Sequence, residues 1–200
     1  MNAKPRPILR NFRFVLPLLL SLLLFSCPPP KSTDTKAQAD PCVMSDGKNQ
    51  RVQIAWSNFT EIESNDSRYS SPYSANIRWE ISYRYNFRED AQGTRDMKFR
   101  TCAVINKERS WVKKDRQSDD LLKHEQGHMD LAIMYARILH QRLINATYND
   151  ASYKTQIKAI FNRLIIDCRD EQNRYDRETD HMLNRDKQRE WDERFKRELG

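Results

Sequence analysis

The chain contains no C-x-x-C pair and no internal repeat, and its one long apolar run lies near the N-terminus. Without C-x-x-C spacing, a zinc site built from cysteines is not expected. With no repeat, 200 residues suit one domain plus a targeting segment. The apolar run, 14–25, is too short to cross a bilayer comfortably. It follows Lys4, Arg6, Arg10 and Arg13, so residues 1–26 read as an export signal. A strong excess of one charge is also missing once that segment is set aside. Removing its four positive charges from the formal net charge of +7 leaves about +3, which is not the footprint of a nucleic-acid-binding protein.

Histidine is scarce, with four in the chain, yet two of them fall in Leu122-Lys123-His124-Glu125-Gln126-Gly127-His128. This is the pattern H-E-x-x-H. On an α-helix, residues four apart project from the same face. Two imidazoles so placed suit one Zn²⁺, and the glutamate between them suits a general base acting on a zinc-bound water. The surroundings read as the helix this requires. From Ser118 to about Asn145 there is no proline, and Gly127 is the single glycine. Leu121, His124, His128, Leu131, Tyr135 and Ile138 recur at three- and four-residue steps. Ser118 is the expected N-cap, with Asp119 and Asp120 in the first turn, where negative charge suits the helix dipole. Gly127 costs a helix about 1 kcal/mol relative to alanine. It implies a close approach, either of a substrate or of another helix.

The apolar run ends in Leu24-Phe25-Ser26-Cys27, which resembles a bacterial lipobox, and Pro28-Pro29-Pro30 follows at once. Cys27 is then the lipidated anchor, residues 27–41 a flexible tether, and 42–200 the folded domain in the bacterial cell envelope. Export permits disulfides. Of the remaining Cys42, Cys102 and Cys168, the expected bridge is Cys102–Cys168, since both lie beside ordered elements.

Strand signals come first in the domain. Val52–Trp56 alternates apolar and polar, as does Ala75–Phe87, with Ile77, Trp79, Ile81, Tyr83 and Tyr85 on one face. Met97–Val104 reads as its antiparallel partner. Helical spacing takes over after about Ser110, with a break near Asn149 and Asp150. A long second helix pattern starts near Ser152 and runs, with a further break, through Tyr175, Met182, Trp191 and Phe195. An antiparallel sheet followed by helices predicts an α+β domain.

Catalytic zinc usually has three protein ligands and a water. The extension H-E-x-x-H-x-x-G-x-x-H is missing, and His140 lies too far along the same helix. The third ligand is therefore expected in Tyr175-Asp176-Arg177-Glu178-Thr179-Asp180-His181, with His181 first and Glu178 and Asp176 as alternatives. Asp130 reads either as an acceptor for a ligand imidazole or as an exposed charge.

The two stretches 121–128 and 175–181, with Gln188 and Trp191 after them, resemble a family of bacterial proteins of unknown function thought to be secreted zinc-dependent proteases. The resemblance covers roughly residues 52–195. In that family the last histidine of the second motif is usually followed by glycine, where this chain has Met182. The resemblance implies a zincin-like metallopeptidase with His124, His128 and His181 on Zn²⁺ and Glu125 as general base. Tyr175 is a candidate hydrogen-bond donor to the oxyanion, and the partner is a peptide or protein substrate. The rival expectation is a non-catalytic envelope lipoprotein that binds or scaffolds, with a vestigial or structural zinc site.

Overall fold

The computed structural model describes residues 42–43, 51–66, 72–89, 91 and 95–200, and all of them belong to one unit, Ala37–Gly200. The expected export signal, the lipidated Cys27 and the tether lie outside the described residues. The protein is α+β. Among the described residues six strands come first: β1 (Cys42–Val43), β2 (Thr60–Ile62), β3 (Ala75–Asn76), β4 (Trp79–Glu89), β5 (Arg95–Ile105) and β6 (Trp111–Lys113). Three helices follow: α1 (Asp119–Ile144), α2 (Tyr153–Thr179) and α3 (Arg185–Leu199).

The strands form two three-stranded sheets, ordered β1-β5-β4 and β2-β6-β3. The β4–β5 hairpin is antiparallel from Trp79↔Ile105 to Glu89↔Arg95, as the alternation of Ala75–Phe87 and Met97–Val104 predicts. Phe99, Thr101 and Ala103 of β5 and Ile81 of β4 are buried under the helices, and the Thr101 hydroxyl donates to the Ala136 carbonyl of α1 at 2.8 Å. The second sheet is mixed rather than antiparallel, because β2 runs parallel to β6.

Two departures from the expected strands shape the site. Val52–Ala55 is not a strand: the Gln126 side chain of α1 takes its hydrogen bonds, accepting from Ile54 N–H at 2.8 Å and donating to the Val52 carbonyl at 2.8 Å. The expected strand Ala75–Phe87 is interrupted at Ile77–Arg78, where the chain leaves one sheet for the other. There Ile77 N–H donates to Glu125 Oε2 at 3.0 Å and Arg78 N–H to Ser110 Oγ at 2.8 Å. Side chains far away in sequence thus replace ladder partners at the point where strand meets site.

The expected Cys102–Cys168 bridge is not formed. Cys102 is disulfide-bonded, while Cys168 is a free, buried thiol whose pKa burial pushes up to about 12. Strand parity explains the difference. Phe99, Thr101 and Ala103 point at the helices, so Cys102 points to the opposite face, away from α2. Cys42 of β1 stands opposite Cys102 in the antiparallel register.

Helix α1 forms where its stripe predicts. The Ser118 hydroxyl caps it by accepting from Leu121 N–H at 3.2 Å. Leu131, Leu139 and Leu143 are fully buried, so α1 is the central helix on which the sheets, α2 and α3 pack.

Candidate metal centre

His124 and His128 sit on one face of α1 with ring centroids 4.9 Å apart. Asp176 of α2 meets both. Its Oδ1 lies 3.2 Å from His124 Nε2 and 3.0 Å from His128 Nε2. Neither approach has hydrogen-bond geometry, so Oδ1 is buried without a hydrogen-bond donor. An unsatisfied buried carboxylate oxygen is costly unless something of opposite charge sits against it.

The other side of each ring indicates what that is. Gln188 of α3 donates its amide N–H₂ to Tyr175 Oη at 2.8 Å and to Asp192 Oδ1 at 3.0 Å, which turns its carbonyl oxygen towards His124 Nδ1 at 3.2 Å. Gln172 of α2 donates to the His128 carbonyl at 3.0 Å, which turns its carbonyl oxygen towards His128 Nδ1 at 2.5 Å. A carbonyl oxygen only accepts, so both Nδ1 atoms are assigned the proton. The Nε2 lone pairs of the neutral rings then point at the Asp176 carboxylate. Two lone pairs and a carboxylate oxygen converging on one point repel one another unless a cation lies between them. His124, His128 and Asp176 can hold a metal ion. Two imidazoles and a carboxylate, with each ring oriented by an acceptor behind it, is a donor set that suits zinc.

The local electrostatics divide between the two rings. Burial lowers the His124 pKa, which favours the neutral ring that a metal needs. For His128 burial acts in the same direction, but Asp176 and Glu125 outweigh it and raise the pKa. Burial works to raise the Asp176 pKa, but the two imidazoles hold it well below the usual carboxylate range. Glu125 is buried beside these ligands, and burial raises its pKa to about 7 against the opposing pull of His128 and of the Ile77 N–H.

The structure brings together His124, His128, Glu125 and Asp176, and rearranges the rest of the expected set. His181, expected as the third ligand, stands one step outside, with Nδ1 3.5 Å from Asp176 Oδ1 and its ring against Tyr73 at a centroid distance of 4.8 Å. α2 ends at Thr179, and Asp180, His181 and Met182 all take positive φ (46°, 48° and 81°). This turn swings His181 off the helical face that carries Asp176. Met182, at φ 81°, occupies the left-handed region that glycine adopts most easily. Glu178 faces elsewhere, paired with Arg174 at 2.8 Å and accepting from Trp191 Nε1 at 2.9 Å.

Tyr175 does not fit the oxyanion-donor role. It is fully buried behind the histidines and stacks on the His124 ring at 4.8 Å. Its hydroxyl donates to the His124 carbonyl at 3.0 Å, and burial raises its pKa further. It holds α1 and α2 in register rather than touching a substrate. Gly127 is explained by the same contact, because a Cβ there would overlap the Tyr175 ring and hydroxyl. The close approach is helix to helix. Asp130 is neither exposed nor a histidine partner. It is fully buried and bound by Arg51, with Nη2 at 2.6 Å, and by Gln126 Nε2 at 2.8 Å. Gln172, which orients His128, was not expected from sequence. Its signal was its position one helical turn before Asp176, on the same face.

His124, His128 and Asp176 lie in a cleft of about 930 Å³. One wall is the chain from Pro72 to Ile81, and the other is α2 from Phe161 to Asp176, continued by residues 180–183. Tyr73 contacts His181, and Tyr83, just past the cleft, contacts Phe161 at 5.1 Å. The two walls therefore run in opposite directions, with the ligands between two arms.

A family of bacterial proteins of unknown function, DUF922, matches residues 50–182, which span β2 to β6, α1, α2 and the turn with His181. No curated protein and no solved structure matches the chain significantly. The match covers most of the chain, including His124, His128 and Asp176, and the chain belongs to this DUF922 family of bacterial proteins.

Proposed function

We propose that the protein is a zinc-dependent peptide hydrolase of the bacterial cell envelope, exported and anchored through lipidated Cys27. The observation that carries the reading is the convergence of two Nε2 lone pairs and the donor-less Asp176 Oδ1, with the Glu125 carboxylate alongside. Zinc held there would supply Lewis acidity towards a scissile carbonyl and lower the pKa of its water to about 7. Glu125 takes the proton of the attacking water and returns it to the leaving amine. Burial makes its carboxylate a stronger base than an exposed one. Ile77 N–H holds Oε2 at 3.0 Å, which fixes the carboxyl group while Oε1 handles the proton. Gln172 and Gln188 keep the two rings in the required tautomer. An extended polypeptide suits a cleft with arms on both sides of the ligands.

The test is hydrolysis of fluorescent casein by the purified protein. Cleavage should stop on treatment with a zinc chelator and return on adding zinc. Zinc-loaded protein that cleaves no faster than buffer would contradict the reading. The disulfide at Cys102 supports export, because such bonds persist in oxidising compartments. Cys27→Ser should move the protein from the membrane to the soluble fraction, and unchanged membrane association would place the anchor elsewhere.

One observation favours the rival, a non-catalytic zinc-holding lipoprotein. His181 lies close enough to Asp176 to close the site as a fourth ligand, and four protein ligands are the usual arrangement of structural zinc. Glu125 weighs against it, since a structural site has no use for a buried base.

A further inference from the structure

The α2 wall of the cleft has a chemical pattern that metal binding does not use. Moving back along the helix from Asp176, and past Gln172 at the His128 ring, the lining residues are Asn173, Arg169, Ile165 and Phe161. Across from them, the strand wall presents Trp79, Glu80 and Ile81. Glu80 is engaged by the Asn106 amide at 2.9 Å. Arg169 is exposed, and among the described residues it makes no hydrogen bond or ion pair. A cation without a partner, set between an apolar stretch and a metal centre, attracts a negative group on whatever occupies that arm.

We propose that Arg169 is the carboxylate-recognising residue of the cleft, binding an acidic side chain or the terminal carboxylate of a bound peptide about three residues from the bond at the metal. The inference rests on the peptide-hydrolase reading. Arg169 is seven residues before Asp176, about 10 Å along the helix at about 1.5 Å per residue. An extended peptide advances about 3.3 Å per residue, so the matching position is the third from the scissile bond. Beyond Arg169, the half-buried Ile165 and Phe161 give the next part of the chain an apolar floor. The guanidinium presents a planar fork that fits a carboxylate with two parallel hydrogen bonds, which a lysine does not. Arg78, the other arginine of the cleft, sits on the strand wall beside Ile77 and Glu125, so it would read a position next to the scissile bond instead.

The experiment incubates the zinc-loaded full chain, in detergent, with two pools of synthetic peptides, one with free and one with amidated C-termini. Mass spectrometry then locates the cuts. An internal acidic residue as ligand gives Asp or Glu enriched about three residues from the cut in both pools. A terminal carboxylate as ligand gives cuts about three residues from the end in the free pool alone. In either case Arg169→Ala should reduce the preference by about 5-fold, the upper end for an exposed charge pair. Arg169→Glu should turn it towards Lys and Arg. Arg169 is exposed on the helix surface, so both variants are expected to fold. A preference that survives both variants, or one that is lost in Arg78→Ala instead, overturns the inference. So does cutting with no carboxylate preference, which leaves the peptidase reading standing. Wild-type protein that cuts nothing overturns both.

Discussion

Glu125→Gln is expected to leave the fold and the bound zinc intact and to cut peptide hydrolysis by about 10²–10⁴-fold, the usual contribution of a general base. The amide has the size of the carboxyl group and can still accept from Ile77 N–H, so the local packing stays. What it loses is the ability to accept a proton near neutral pH. The measurement is kcat/KM on a peptide that the wild type cuts, alongside zinc content and the thermal unfolding midpoint of both proteins. A variant that cleaves at the wild-type rate would show that Glu125 is not the base. A variant that loses zinc or stability would point to a structural role instead.

Asp176→Ala is expected to weaken zinc binding well beyond the roughly 10–100-fold typical of losing a supporting group, because it deletes a direct ligand. His181→Ala is expected to stay within about 10-fold of the wild type. Competition with a chromophoric chelator gives both affinities. The reverse order would restore His181 as the third ligand. Equal, large losses would describe a site closed by four protein ligands and favour the non-catalytic reading. The contrast is informative because Asp176 Oδ1 is within 3.2 Å of both Nε2 atoms, whereas His181 contacts the site only through Asp176 and the His124 ring edge.

What the sequence revealed follows how local the signals are. Helix α1, its Ser118 cap and the His124–His128 pair were legible because cap, stripe and motif all lie within one helix. The β4–β5 hairpin was legible because its pleat is written as alternation. The break at Ile77 was not, because its cause is the Glu125 carboxylate 48 residues away. Val52–Ala55 was misread for the same reason, since Gln126 replaces its strand partners. The cluster 175–181 brings Asp176 to the two histidines, but spacing alone does not say where α2 ends. With the helix stopping at Thr179 and three residues at positive φ beyond it, Asp176 meets both histidine rings, while His181 reaches only Asp176 Oδ1 and the edge of the His124 ring. Tyr175 is next to Asp176 in sequence yet faces the helix core, where Gly127 makes room for it. The Cys102–Cys168 bridge does not form because strand parity turns Cys102 away from the helices, a feature that lies in the pairing register rather than in the spacing of the cysteines.

The most direct test of the central claim is elemental analysis of the purified wild-type protein, with X-ray absorption at the metal edge. Close to one zinc per chain is expected, in a shell of nitrogen and oxygen donors, reduced to background in His124→Ala and His128→Ala. Stoichiometric zinc that survives in both variants, a sulfur-containing shell, or iron in place of zinc would contradict it.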